Sequence, residues 1–342
     1  MPEKPSFLVD QDFLRAHFAQ KNRPTTALTT YQGPLVEQIV VDAEAIASPE
    51  DLVQANVDFV DHMLNTGAYL PGEYPIEANW SYSVDIYVTD VLRGGHLSFI
   101  ESVQRADAED IAVPSCASGL KAFGGESFFE VFGKLHDYLQ AARRRRAEDT
   151  EGKLTDKIME WVNIQIREAD QEFHALNTAN PLRALNGAWL KGLPNLRSVK
   201  AERLDLELAA LVARNPLRAA RLEEHRLIQD RRDAANPMLR TMKELCRSAG
   251  LSFAGVTAGT PAMTPAAWGK KQHPAFWWGV RTDRGVYYVY FFDRGTLFKR
   301  YRAALQEKGG LQPIATLALS AAEFASIVPQ ELRQSFQRMS AS

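Results

Sequence analysis

Cysteine is nearly missing from this 342-residue chain: Cys116 and Cys246 are the two thiols. They share no motif, and neither lies in a CxxC pair, so no zinc site is indicated and a disulfide is the lesser reading. Two free thiols in a reducing compartment are expected. Long apolar runs are lacking too, since no window approaches the roughly eighteen consecutive apolar residues of a membrane helix. The start, MPEKPSFLVDQDFLRAHF, has no apolar run behind basic residues and does not read as a secretory signal. The expectation is a cytoplasmic protein with no membrane partner.

Signatures of catalysis are likewise missing. The seven histidines (His17, His62, His96, His136, His174, His225 and His273) show no HExxH spacing. GxSxG, GxxxxGK and GxGxxG do not occur, so neither an esterase-type nucleophile nor a phosphate loop is indicated. Gly94-Gly95 and Gly124-Gly125 follow helices rather than strands, and a helix C-terminus repels phosphate; both pairs are expected to be structural turns. No catalytic residue, metal or cofactor is assigned.

The scarcity that carries most information is of positive charge. Between Asp42 and Asp137 stand 17 acidic residues and only four basic ones, Arg93, Arg105, Lys121 and Lys134, a net of −13. The remainder holds 25 acids and 36 bases, a net of +11, so the overall −2 conceals a strongly dipolar molecule. Such charge does not specify a fold, but it repels nucleic acid and attracts basic partners.

What is present reads as mainly α. Residues 1–47 form an arm with some strand character in LVEQIVVDA. Residues 48–200 form an acidic all-α domain, opened by Ser48 as cap, Pro49 in the first turn, and Glu50 and Asp51 at the positive dipole end. Val53, Val57, Val60 and Leu64 recur on one face of that helix. Helices are also expected after Pro75, from Pro114 to Gly124-Gly125, from Phe128 into Arg143-Arg144-Arg145-Arg146, and through Ile158, Val162, Ile166, Ala169 and Phe173. The arginine run reads as a solvated helix end neutralised by the following AEDTE. Residues 201–248 form a charged helical connector. Residues 249–342 form a small α+β domain: a loop to Trp268, an aromatic hairpin around Asp283-Arg284-Gly285, a helix over TLFKRYRAALQEKG, a strand at LQPIATLAL and a helix capped by Ser320 and Glu323.

The string VDIYVTDVLRGGHLSFIESV resembles the hallmark of a bacterial family named for a DNA-mimic protein, in which a helix, an Asn-Gly-Gly-Phe-like turn and a short aromatic helix follow in order. Gly94 and Gly95 match the glycine pair, and Phe99 and Ile100 the positions after it; Arg93, His96 and Ser98 differ from the family's Asn, Phe and Gln. SGLKAFGGESFFEVFGKL (118–135) and READQEFHALNTANPLRALNGAWLKGLP (167–194) resemble its next two blocks. The resemblance spans about 48–198. It implies an all-α fold and an acidic protein-binding surface that imitates DNA phosphates, without enzymatic activity.

Charge and resemblance together point to a non-enzymatic interaction module that binds a basic partner such as a transcription regulator or nucleoid protein. The candidate partner-binding residues are Asp51, Asp58, Asp61, Asp85, Asp90, Glu101, Asp107, Glu109 and Asp110, with Gly94 and Gly95 as a structural turn. An alternative is an immunity or antitoxin-like protein that neutralises a toxin through the same face. A further alternative places nucleic-acid binding on the basic, aromatic C-terminal domain; direct binding through the acidic domain is not expected.

Overall fold

Residues read from sequence as an arm are built into the core. In the computed structural model a short helix, α1 (Gln11–Phe18), seats Leu14 against Val9 and Ile76, and a strand, β1 (Ile39–Asp42), buries Ile39, Val40 and Val41. β1 pairs in parallel with β2 (Leu196–Val199), in the register Ile39↔Leu196. A parallel pair needs a long crossover, and here the crossover is the helical domain itself. The structure describes residues 9–18, 26–105, 109–148, 155–257, 264–268, 271–293, 301–307, 313–328, 330 and 333. By contacts the chain divides into two compact units, Met1–Glu224 and His225–Ser342.

In the first unit, α2 (Pro49–Asp61) begins as its sequence specifies: the Ser48 hydroxyl accepts from the Asp51 backbone N–H, with Pro49 in the first turn. Its inner face buries Leu52, Val53, Phe59 and Val60, and one wider turn (His62–Thr66) carries it to Gly67. α3 (Ile76–Arg105) is interrupted at Gly94 and Gly95, where the backbone leaves helical geometry. The glycine pair therefore redirects a helix that continues beyond it. α4 (Glu109–Ala122) carries Pro114 inside rather than at its start. A proline there lacks one N–H, and the burial of Ser115, Cys116 and Ala117 beside it shows packing overriding the local preference. α5 (Glu126–Glu148), α6 (Thr155–Ala179) and α7 (Leu182–Lys191) complete the helical set.

Two apolar clusters organise this unit. Val84, Tyr87, Val88 and Val91 of α3 pack with Cys116 and Leu120 of α4, Phe128 and Phe132 of α5, and Phe173 of α6. The other cluster joins β1, α2, Tyr69 and Tyr74 to Leu190, Val199 and three residues of α8 (Ala201–Val212), namely Leu208, Leu211 and Val212. Packing thus runs past residue 200. A buried ion pair reinforces it: Arg221, on α9 (Arg218–Ala235), donates to Glu73 at 2.5 and 2.8 Å and to the carbonyls of Ala27, Thr30 and Ala68. Glu73 in turn accepts from the Gln32 and Leu70 backbone N–H groups. With every group satisfied, the pair avoids the usual cost of buried charge.

The second unit takes in the end of α9 and then α10 (Pro237–Ser248), which Asn236 caps. Its antiparallel sheet has the order β3 (Phe253–Val256), β5 (Lys271–Thr282), β6 (Gly285–Asp293), β7 (Tyr301–Glu307), β8 (Ala315–Leu319), with β4 (Thr264–Trp268) also paired to β5. The Asp283-Arg284 turn joins β5 to β6 as the hairpin signature specifies. Two expectations give way here. The stretch to Trp268 contains β3 and β4 rather than loop alone, and the helix expected over TLFKRYRAALQEKG is replaced by β7. Ala303 and Leu305 of β7 alternate toward α10 and α11 (Ala321–Ile327), and pairing on both edges outweighs helix propensity. The Ser320–Glu323 capping box forms as read.

Candidate functional site

α2 contains no basic residue, so its solvent face is acidic by default. Glu50, Asp51, Gln54 and Asp58 are exposed, and the Gln54 amide donates to Asp58 at 3.0 Å. Asp51 and Asp58 sit two turns apart, about 10 Å along the axis at 1.5 Å per residue. Asp61 is withdrawn from this stripe: it is half-buried and accepts from the Tyr82 phenol at 2.9 Å. Burial first, and then that hydrogen bond, push the Tyr82 phenol well above its ordinary value, so it remains a donor.

Of the remaining candidates, Glu101 and Asp110 are exposed. Asp85 and Asp90 are buried and already paired. Arg183 holds Asp85 with two contacts, at 2.6 and 3.3 Å, and Arg93 meets Asp90 at 2.5 Å. A carboxylate neutralised in this way cannot stand in for a phosphate. Asp107 and the side chain of Glu109 lie outside the described residues, as do the side chains of Arg143 to Arg146. Sequence reasoning passed over Glu126, Glu130 and Asp137, which the structure exposes along α5; the spacing from Glu126 to Glu130 was the signal that could have found them. Among the described residues, none of Asp51, Asp58, Glu101, Asp110, Glu126, Glu130 and Asp137 forms an ion pair.

The glycine pair has a definite role. Gly95 has φ +73°, and a Cβ there would lie 2.5 Å from Asp170 Oδ2. Asp170, reaching over from α6, accepts from the His96 backbone N–H at 2.7 Å and from His96 Nδ1 at 2.6 Å. It thereby caps the helical segment that resumes after the break. His96 Nε2 meets the Tyr87 hydroxyl at 2.7 Å. Burial alone would raise the Asp170 carboxyl, but the hydrogen bonds and charge of His96, with His174, outweigh it and hold the group below its usual value. The row Tyr87–His96–Asp170 has the order of a proton relay. Tyr87 and His96 are fully buried, however, and desolvation drives the phenol well above its ordinary value. It works as a structural lock on the α3 break.

No three His, Cys, Asp or Glu side chains come together to hold a metal ion among the described residues. No described helix is long and apolar enough to cross a membrane. Residues 72–193 match the family described as DMP19-like protein, and the rest of the chain is unassigned. The match is shorter than the 48–198 read from the motif blocks: it covers α3 to α7 with the Gly94–Gly95 lock and leaves α2 outside. No curated protein and no solved structure matches the chain.

Proposed function

We propose that the first unit binds a DNA-binding protein on the surface that protein uses for DNA, as a non-catalytic competitor. The observation that carries this reading is the DNA-mimic family match over residues 72–193, the helices that expose Glu101, Asp110, Glu126, Glu130 and Asp137. Unpaired carboxylates on rigid helices offer a basic surface fixed negative charge, with little ordering cost on binding. Asp51 and Asp58 on α2 extend the same chemistry outside the matched segment. A transcription regulator or nucleoid protein meets the requirement for a basic, DNA-shaped partner surface.

The test is displacement. Cell extract is bound to immobilised duplex DNA, and the purified chain is added at about 0.1 M salt, where surface charges still act over roughly 10 Å. Release of a specific DNA-binding protein, suppressed by Glu126→Gln with Glu130→Gln, is expected. Release of nothing beyond what a buffer wash removes would refute the reading.

A further inference from the structure

Met1–Glu224 holds 34 acidic and 23 basic residues, a net of −11, whereas His225–Ser342 holds 8 acidic and 17 basic ones, a net of +9. Two copies of the first unit therefore repel each other, and a contact between them must lie where charge is locally balanced. Residues 200–214, which include α8, meet that condition. Glu202, Asp205 and Glu207 stand there against Lys200, Arg203 and Arg214, a net of zero.

α8 has two unlike sides. Leu208, Leu211 and Val212 point inward, into the cluster built on β1 and α2. At about 100° per residue, Glu202, Leu206, Ala209 and Ala213 fall within about 60° of one another on the outer side, and all four are exposed. Leu206 is 68% exposed, more than any other large apolar side chain among the described residues. The alanines beside it leave room for a second helix to approach to about 8 Å, the spacing of closely packed pairs. Charge follows a fixed order along this side. Glu202 and Asp205 are exposed near the start and Arg214 just past the end, and none of the three forms an ion pair among the described residues. Arg203, also near the start, is held by Glu207 at 2.9 Å.

We propose that a second copy of this chain docks on this side, α8 against α8, antiparallel about a two-fold axis near Leu208. Leu206 of each copy then lies over Ala209 and Ala210 of the other, and Glu202 faces Arg214 of the other. The two-fold repeats each contact, so the face is complementary to itself. A parallel pair would set Glu202 against Glu202, and the charge order selects against it. Twelve residues give a helix about 18 Å long, so the contact buries less than the roughly 800 Å² per partner of a standard interface. The dimer is accordingly weak, half-formed at roughly 0.1 mM. The family match ends at residue 193, so this contact lies outside the matched segment. The inference stands apart from the reading of the acidic unit and uses none of its exposed carboxylates.

The test is analytical ultracentrifugation of the full chain between about 5 and 500 µM in about 0.1 M salt. The average mass should rise with concentration from one chain toward two. Leu206→Glu sets a charge at the centre of the contact and should keep the chain monomeric throughout, with an unchanged melting temperature. Arg214→Glu and Glu202→Arg should each weaken association by about tenfold or more, because each opposes like charges. The two changes together should restore it, since the swap rebuilds the opposed pair. A parent chain that stays monomeric at every concentration would overturn the proposal, as would a dimer that Leu206→Glu leaves intact. A double variant no tighter than the single ones would overturn the antiparallel pairing. A lowered melting temperature for Leu206→Glu would place the leucine under cover within the chain and overturn the proposal as well.

Discussion

Single residues at the α3 break show how a local conformational requirement fixes a tertiary contact. Gly95 combines φ +73° with a close approach to Asp170, so any side chain is both strained and obstructed. Gly95→Ala should destabilise the protein by about 2–4 kcal/mol, read from urea unfolding, with loss of the Asp170 cap. A cost under about 0.5 kcal/mol would mean that the break relaxes freely. Asp170 also sets a pH dependence. Its folded carboxyl ionises below the unfolded value of 3.8, so folding favours the charged form. That contribution is fully present above the unfolded value and is lost as pH falls through the depressed folded one. Asp170→Asn should therefore lower stability at pH 6 and flatten the decline below about pH 4; identical acid limbs for parent and variant would contradict the assignment. Arg221 is the other decisive residue. Arg221→Met strands the fully buried Glu73 carboxylate and should cost about 3–5 kcal/mol. Adding Glu73→Gln should recover only part of this, because the carbonyls of Ala27 and Thr30 still lack the donor that Arg221 gave them.

At the scale of elements, helices were the most legible part of the sequence. α2 follows from Ser48 and Pro49, and α6 from the period of Val162, Ile166, Ala169 and Phe173, because cap chemistry and a one-sided apolar stripe are local signals. β7 was not legible: YRAALQE has helix-forming residues, and its strand state comes from β6 and β8, remote in pairing if not in sequence. β1 had strand character, but its partner, β2, lies far along the chain and nothing in either strand announces the pairing. The site followed the same division. Exposed Asp51, Asp58, Glu101 and Asp110 could be read from the charge pattern, whereas the pairing of Asp85 with Arg183 arises only when α7 packs beside α3. Core residues on α8, together with Asn215 bonding the carbonyls of Gly67 and Ala68, carry the first unit beyond the matched segment. A chain ending at Glu224 should accordingly melt cooperatively, and one ending at Ser198 should not, as followed by circular dichroism. Equal cooperativity in both would show that α8 and Arg221 are dispensable.

For the whole molecule the organising fact is the separation of charge, −11 against +9, between two compact units. Net charge governs association more than folding, so neutralising exposed acids should change binding and spare stability. Asp51→Asn with Asp58→Asn should shift the unfolding free energy by less than about 0.5 kcal/mol, since solvated surface charges contribute little. If the pair proves strongly destabilising, α2 relies on these carboxylates for its own structure. If the acidic unit occupies a partner's DNA-binding surface, binding of this protein and of DNA must be mutually exclusive. A partner released in the displacement experiment is saturated with labelled duplex DNA, and anisotropy is followed as this protein is titrated in. The DNA signal should fall to the free value, at a midpoint that rises with the DNA present. A larger complex, in which the partner holds DNA and this protein together, would contradict that exclusion.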